Sequence, residues 1–188
     1  MIEPTCLGCQ LANGQAQAHI VYENEWVTCI LDIAPLNEGH VLILPKKHYA
    51  EVTDIDEITS LALMKASLLI SRVLTALFQP DGVTLLQNGG SFNDLDHVHI
   101  HVFPRYKGDG FGWIEPVDRK NNRNRLKETA AHLINYINDL SIINYIQSPI
   151  GQAIRALSLL RSQQKVGILS TKMINCYGAS PQQRRLTE

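Results

Sequence analysis

Long apolar runs are missing from this chain. No uninterrupted stretch approaches the roughly 20 residues that cross a bilayer, so no membrane span and no membrane partner are expected. The N-terminal stretch Met1-Ile2-Glu3-Pro4-Thr5-Cys6 lacks the basic and apolar regions of a signal peptide. A cytoplasmic location is therefore expected. An excess of one charge sign is missing too: 17 basic and 18 acidic residues leave a formal net charge of −1. That removes the electrostatic ground for a nucleic-acid or membrane surface. Internal repeats and low-complexity tracts are absent, so no repeat architecture is expected. Cysteine is scarce, at four residues. Cys6 and Cys9 form a C-x-x-C, which in a cytosolic chain points to metal or redox chemistry rather than a structural disulfide. Cys29 sits beside Val27, Ile30 and Leu31 and reads as a buried small hydrophobe. Cys176 lies in the tail and carries no assigned role.

What is present suits a soluble globular protein. The 188 residues are 45% apolar and 19% charged, enough for one domain with a sizeable core and an appendage. Charge is unevenly spread. Residues 141–188 hold six basic residues against Glu188 alone, a balance of +5. Residues 1–140 hold eleven basic and seventeen acidic residues, a balance of −6. The shift predicts a boundary near residue 140, with a catalytic domain over 1–140 and a basic extension of unknown role over 141–188.

Strands are predicted at His19–Glu23, Trp26–Leu31 and His40–Leu44, the last closed by Pro45. Asp54 to Glu57 offers a capping pattern, and the chain from there to Gln79 is free of Gly and Pro. Its residues Ile58, Leu61, Leu68, Leu69, Val73 and Leu77 predict one broad face that covers a sheet. A fourth strand follows at Val83–Gln87, then a turn at Asn88-Gly89-Gly90. Lys107–Gly112 reads as a glycine-rich mobile loop. A second helix is predicted over 121–140, with Leu126, Ala130, Leu133, Ile134, Ile137 and Leu140 on one stripe and His132 off it. Beyond it, Ser148-Pro149 fits an N-cap and first helical residue. A helix carrying Ile150, Ile154, Leu157 and Leu160 and a functionally silent tail both remain open. The order of elements predicts an α+β fold with an antiparallel sheet and two main helices.

Between the fourth strand and the glycine-rich loop stands His97-Val98-His99-Ile100-His101-Val102-Phe103-Pro104-Arg105. A period of two reads as a strand, with His97, His99 and His101 on one face and Val98, Ile100 and Val102 on the other. A plain solvated face would draw on Thr, Lys, Glu and Ser. Three histidines point to a nucleophile with helpers, a metal site, or both.

This stretch resembles the signature of the histidine triad family of nucleotide hydrolases and transferases. Further motifs agree in order: Cys6-Leu-Gly-Cys9, Leu31-Asp32-Ile33-Ala34-Pro35, Gly39-His40 through Pro45-Lys-Lys-His48, and Asn88-Gly89-Gly90. The resemblance runs from about Cys6 to Pro116 and is to the zinc-bearing, bacterial-type branch. It implies a covalent nucleotidyl-histidine intermediate on His99, with His101 and His40 attending the phosphate. It also implies Asp32 as acceptor of the ribose hydroxyls, Leu31 and Ile33 as apolar walls for the base, and Asn88 near the scissile phosphate. Cys6, Cys9, His48 and His97 are implied as a closed Cys₂His₂ set for structural zinc. No organic cofactor is implied, and relatives are homodimers.

The chain departs from the family before the triad. Where many hydrolase relatives carry glutamine it has Asn93, which keeps the amide on a shorter reach. Asp94 falls where some relatives carry serine, and a carboxylate there disfavours an anionic substrate unless it meets a donor. His101, where the uridylyltransferase branch has glutamine, favours hydrolysis over transfer. The expected substrates are dinucleoside polyphosphates or adenylyl phosphoramidates. Two other functions remain open: a zinc-stabilised nucleotide-binding or sensing module acting through a partner, and a zinc-thiol redox protein.

Overall fold

Two strands set the frame because they are apolar at almost every position. Val27–Leu31 (β2) and Val41–Pro45 (β3) are buried throughout, apart from Leu31 at the rim. A strand covered on both faces reads as a continuous apolar run instead of an alternating one. They pair antiparallel, with Cys29 opposite Ile43. Ile20–Glu23 (β1) extends the sheet beyond β2. Ile100–Arg105 (β5) pairs with β3, and Gly82–Leu86 (β4) pairs with β5. The result is a five-stranded antiparallel sheet in the order β1-β2-β3-β5-β4. With its helices this is the expected α+β fold.

The computed structural model describes residues 3–112, 114, 119–150 and 152–154. It divides into two compact units, Met1–Trp113 and Ile114–Glu188. Residue 140, near the boundary predicted from charge, lies inside a helix of the second unit.

In the first unit, Glu57–Phe78 (α2) covers one face of the sheet. Asp56 caps it, its carboxylate accepting from the Thr59 N–H at 2.9 Å. Gln79 ends it in the left-handed conformation, just before Pro80. The helix buries Ala62, Leu63, Ala66, Ser67, Ile70 and Leu74 against Val27, Cys29, Val41, Ile43 and Val102. Each of the larger aliphatics contributes about 1.5–3 kcal/mol of transfer free energy. This corrects the predicted stripe. Ile58, Leu61, Leu68, Leu69, Val73 and Leu77 are exposed. The small side chains of Ala62, Ala66 and Ser67 let the helix approach the sheet closely, so their face turns inward. The same helix corrects the reading of apolar length. Lys65 and Arg72 interrupt its run, yet by length and mean hydropathy it is apolar enough to cross a bilayer.

Leu7–Ala12 (α1) lies on the opposite face of the sheet, where Ala12 joins Ile30, Leu42 and Leu44. Gly8 allows this approach, because a Cβ there would stand 2.3 Å from the Cβ of His97. The histidine strand is also corrected. β5 begins only at Ile100, and His97–His99 precede it without ladder pairing. Asp96 takes a left-handed φ of 48° and turns the chain, and the Val98 N–H donates to the Tyr49 carbonyl at 2.7 Å instead.

In the second unit the single predicted helix is two: Arg119–Asn124 (α3) and Leu126–Gln147 (α4). The predicted stripe holds in spacing, but Leu126, Leu133, Ile134, Ile137 and Leu140 are exposed. The Gln152 N–H donates to the Ser148 carbonyl at 2.9 Å, as a helical turn opening at Ser148-Pro149 requires. Leu157, Leu160, the basic residues from Arg155 onward and Cys176 lie outside the described residues.

Candidate active site and metal centre

The four residues of the predicted Cys₂His₂ set converge from three parts of the chain. Cys6 and Cys9 bracket the start of α1, His48 follows β3, and His97 follows the Asp96 turn. Each offers one ligand atom, and these atoms all lie within 4.8 Å of one another. The His97 Nε2–H donates to the Pro45 carbonyl at 2.9 Å, which leaves the Nδ1 lone pair facing the thiols. Nδ1 stands 3.6 Å from both Cys6 Sγ and Cys9 Sγ, and Cys9 Sγ stands 3.5 Å from His48 Nδ1. Tetrahedral zinc with ordinary bond lengths puts sulfur and nitrogen ligands about 3.6 Å apart. Burial pushes the His97 pKa down to about 4, which keeps the imidazole neutral as ligation needs. Burial also raises the Cys9 thiol, and a divalent cation is the charge that reverses this. The set fits a structural metal with no open position. Cys29 is buried and pushed up to about 12, an inert core thiol as expected.

The second cluster lies on the same face of the sheet. His99 is almost fully buried, and its Nδ1–H donates to the His97 carbonyl at 2.8 Å. That fixes the tautomer and presents the Nε2 lone pair. The His101 ring packs edge-on against it, with centroids 4.7 Å apart. His40 accepts at Nδ1 from the Leu36 N–H at 3.2 Å, so its proton sits on Nε2 and is donated to His101 Nδ1 at 3.0 Å. Burial lowers the pKa of His40. Burial, then the neighbouring His99 and His40, bring His101 down to about 4. Asp32 lies beside both, its Oδ2 3.4 Å from His40 Nδ1 and 4.0 Å from His101 Nδ1. Its other oxygen accepts from the Ala34 N–H at 2.8 Å. The arrangement sets the Nε2 lone pair of His99 beside the neutral imidazoles of His40 and His101, with a carboxylate at the edge.

The remaining predicted residues are placed unevenly. Ile33 is 97% exposed beside Asp32, free to meet a ligand. Leu31 does not reach the histidines. It turns to the α2 face, in a groove of about 430 Å³ with Val21, Val41, Leu74 and Phe78. Strand alternation puts Ile30 on the histidine face instead, in a cluster with Leu42. Asn88 lies two residues past Leu86, the register partner of His101. Asn93 spends its amide on the backbone: Nδ2 donates to the Ala50 carbonyl at 3.3 Å and Oδ1 accepts from the Leu95 N–H at 3.2 Å.

Two acids complete the picture. Asp94 Oδ1 stands 3.4 Å from His99 Nε2. Asp109 pins the loop predicted to be mobile. Arg105 donates to both Asp109 oxygens, at 2.6 and 3.0 Å, and to the Phe111 carbonyl at 2.6 Å. Asn37, in the loop carrying Asp32, donates to Asp109 at 3.1 Å and to the Pro104 carbonyl at 2.8 Å. The Arg105 guanidinium holds the Asp109 carboxyl well below the usual range. An Arg-Tyr-x-x-Asp spacing was the only local signal for this latch, and nothing in it pointed to Asn37.

Comparison with known proteins shows the family. Residues 13–108 match the HIT domain, and the chain belongs to the histidine triad (HIT) family. An uncharacterised HIT-like protein of Methanocaldococcus jannaschii is 38% identical over 119 residues, covering 60% of this chain and 92% of its own. An adenylylsulfatase of Arabidopsis thaliana is 29% identical over 138 residues, covering 72% of this chain and 69% of its own. A crystal structure of a HIT family protein from Bacillus anthracis superposes with a TM-score of 0.63 at 28% identity, over 71% of this chain and 97% of its own. A zinc-bound histidine triad protein from Mycobacterium smegmatis gives 0.54 at 31% identity, over 70% and 97%. Family membership supports nucleotide hydrolase activity in general.

Proposed function

We propose that the chain hydrolyses nucleotidyl phosphate or phosphoramidate bonds through a covalent nucleotidyl-His99 intermediate. The observation that carries this reading is the hydrogen bond from His99 Nδ1 to the His97 carbonyl, which leaves a directed lone pair on Nε2. That lone pair attacks the α-phosphorus, and the leaving group departs with the bond pair and takes a proton from solvent. Water then attacks phosphorus and returns a proton to solvent, the bond pair of the breaking His99–phosphorus bond returns to Nε2, and a nucleoside monophosphate is released. Nδ1 keeps its proton and its carbonyl acceptor throughout. His101 and His40 attend the phosphoryl oxygens. Asp32 receives the ribose hydroxyls, Ile33 flanks the base and Asn88 borders the phosphate. Dinucleoside polyphosphates or adenylyl phosphoramidates are the substrates. Cys6, Cys9, His48 and His97 hold structural zinc, which ties α1 and the chain after β3 to the segment carrying His99. The active form is a cytoplasmic homodimer. The edge of β4, unpaired among the described residues, and the outward apolar residues of α2 support that assembly.

His99→Ala is expected to lower turnover at least a thousandfold while nucleotide affinity changes little. Release of nucleoside monophosphate and equilibrium binding measure the two quantities. Normal turnover in the variant would sink the mechanism. The alternative is a nucleotide-sensing module acting through a partner, and the exposed apolar stripe of α4 favours it. It predicts tight nucleotide binding without turnover by the unaltered protein.

A further inference from the structure

We infer that Asp94 determines leaving-group specificity, selecting nucleotidyl substrates whose leaving group is an amine over those whose leaving group is a polyphosphate. The inference rests on the proposed attack by His99. His99 Nδ1 is committed to the His97 carbonyl, so Nε2 is the nitrogen that meets phosphorus. Asp94 Oδ1 lies 3.4 Å from that same nitrogen. A bound phosphoryl group must come to this place, and a carboxylate is already there. The position is built by its neighbours. Gly90 donates its N–H to Glu51 Oε1 at 3.2 Å, and Asn93 ties the next residues to the Ala50 and Leu95 backbone. The Asp94 side chain itself is 80% exposed, so packing does not stop it turning from Nε2 toward a departing atom.

Among the described residues, Arg105 and three lysines are engaged elsewhere. Arg105 is held by Asp109, Thr84 and the Phe111 carbonyl. Lys46 pairs with Glu23, Lys47 with Asp56 and Lys107 with Asp81. Asp32 brings a second carboxylate to the His40–His101 side. A polyphosphate leaving group would carry several negative charges into this setting, against like charge. An amine leaving group reverses the sign. Its nitrogen takes a proton from water while still bound to phosphorus. His99 Nε2 then donates its lone pair to phosphorus, the phosphorus–nitrogen bond breaks, and the bond pair stays on the departing amine. The positive charge on that nitrogen before cleavage is what Asp94 attracts.

The experiment uses the full chain with its metal and two substrates that share an adenylyl group. One is an adenosine 5′-phosphoramidate with a primary-amine leaving group, the other diadenosine tetraphosphate. AMP release gives kcat/KM for each in the unaltered protein, in Asp94→Asn and in Asp94→Ser. Circular dichroism and metal content confirm that the variants fold. We expect the unaltered protein to prefer the phosphoramidate, and both variants to shrink the preference roughly tenfold. A ratio unchanged within about twofold, with both substrates turned over, overturns the role of Asp94 alone. Release of AMP from neither substrate by the unaltered protein overturns the nucleotidyl-transfer reading and this one with it.

Discussion

At the scale of single residues, the site works by fixing which nitrogen of each imidazole carries the proton. The Pro45 carbonyl accepts from His97 Nε2–H, the His97 carbonyl accepts from His99 Nδ1–H, and the Leu36 N–H donates to His40 Nδ1, which leaves His40 Nε2–H to donate to His101. Three of these four anchors are main-chain groups, which cannot themselves titrate. Burial keeps His97, His40 and His101 neutral, and that has a consequence for stability. The His101 pKa of about 4 lies below its ordinary 6.5, so between these values the unfolded chain binds more protons than the folded one. The contribution is fully present above about pH 6.5 and is lost as pH falls toward 4. It is on the order of 3 kcal/mol, and His40 shifts in the same direction. Urea unfolding between pH 7 and 4.5 should show stability falling with acidification, with a shallower slope in His101→Gln. An equal slope in the variant would remove His101 from the account.

At the scale of elements, α1 is a short clasp whose value is contact with the histidine segment. Its six residues would not form a stable helix alone. The Cys6 side chain accepts from the Cys9 N–H, and the same two sulfurs face His97. Gly8 lies between them, where no side chain fits against His97. Gly8→Ala is expected to cost about 1–3 kcal/mol and to lower bound metal per chain. Thermal unfolding and elemental analysis read these effects. Full metal occupancy with unchanged stability would show that α1 tolerates displacement. α2 follows the opposite plan. It is long and well capped, and it is apolar on more than one side, so its packed face is chosen by side-chain size as much as by hydropathy.

At the scale of the whole molecule, the candidate metal ligands come from residues far apart in sequence, from Cys6 to His97. A zinc ion bound there would favour the folded chain, because the unfolded chain offers no preformed site. Chelation is expected to lower the melting temperature by roughly 10 °C and to slow turnover, because His99 is positioned through His97. Calorimetry with and without chelator, and with zinc restored, tests this. The outer face of α2 and the β4 edge carry a second expectation. Leu68 and Val83 line one groove there, and Leu68 is half exposed. Leu68→Asp should shift the proposed dimer toward monomer in light scattering while leaving the far-ultraviolet spectrum intact. A monomer before substitution would count against the assembly.

Much of this protein follows from short-range pattern. The period of two around His97–Arg105, the C-x-x-C, the caps of α2 and the all-apolar strands are local facts, because chain geometry imposes periods of 2 and 3.6 on neighbouring residues. They identified the sheet, its main helix and the buried thiol of Cys29, while the ligand set was implied by the family resemblance. Tertiary structure decided what local pattern leaves degenerate. It turned Ala62, Ala66 and Ile70 inward and left Leu61 and Leu68 outside, because two apolar faces competed for one sheet. It sent Leu31 to the α2 side and gave the histidine face to Ile30. It occupied the Asn93 amide with backbone, brought Asp94 to His99, and joined Asn37 to Asp109 across 72 positions of sequence. Contacts of that kind depend on where distant segments stop and turn, and only the packed chain supplies that information.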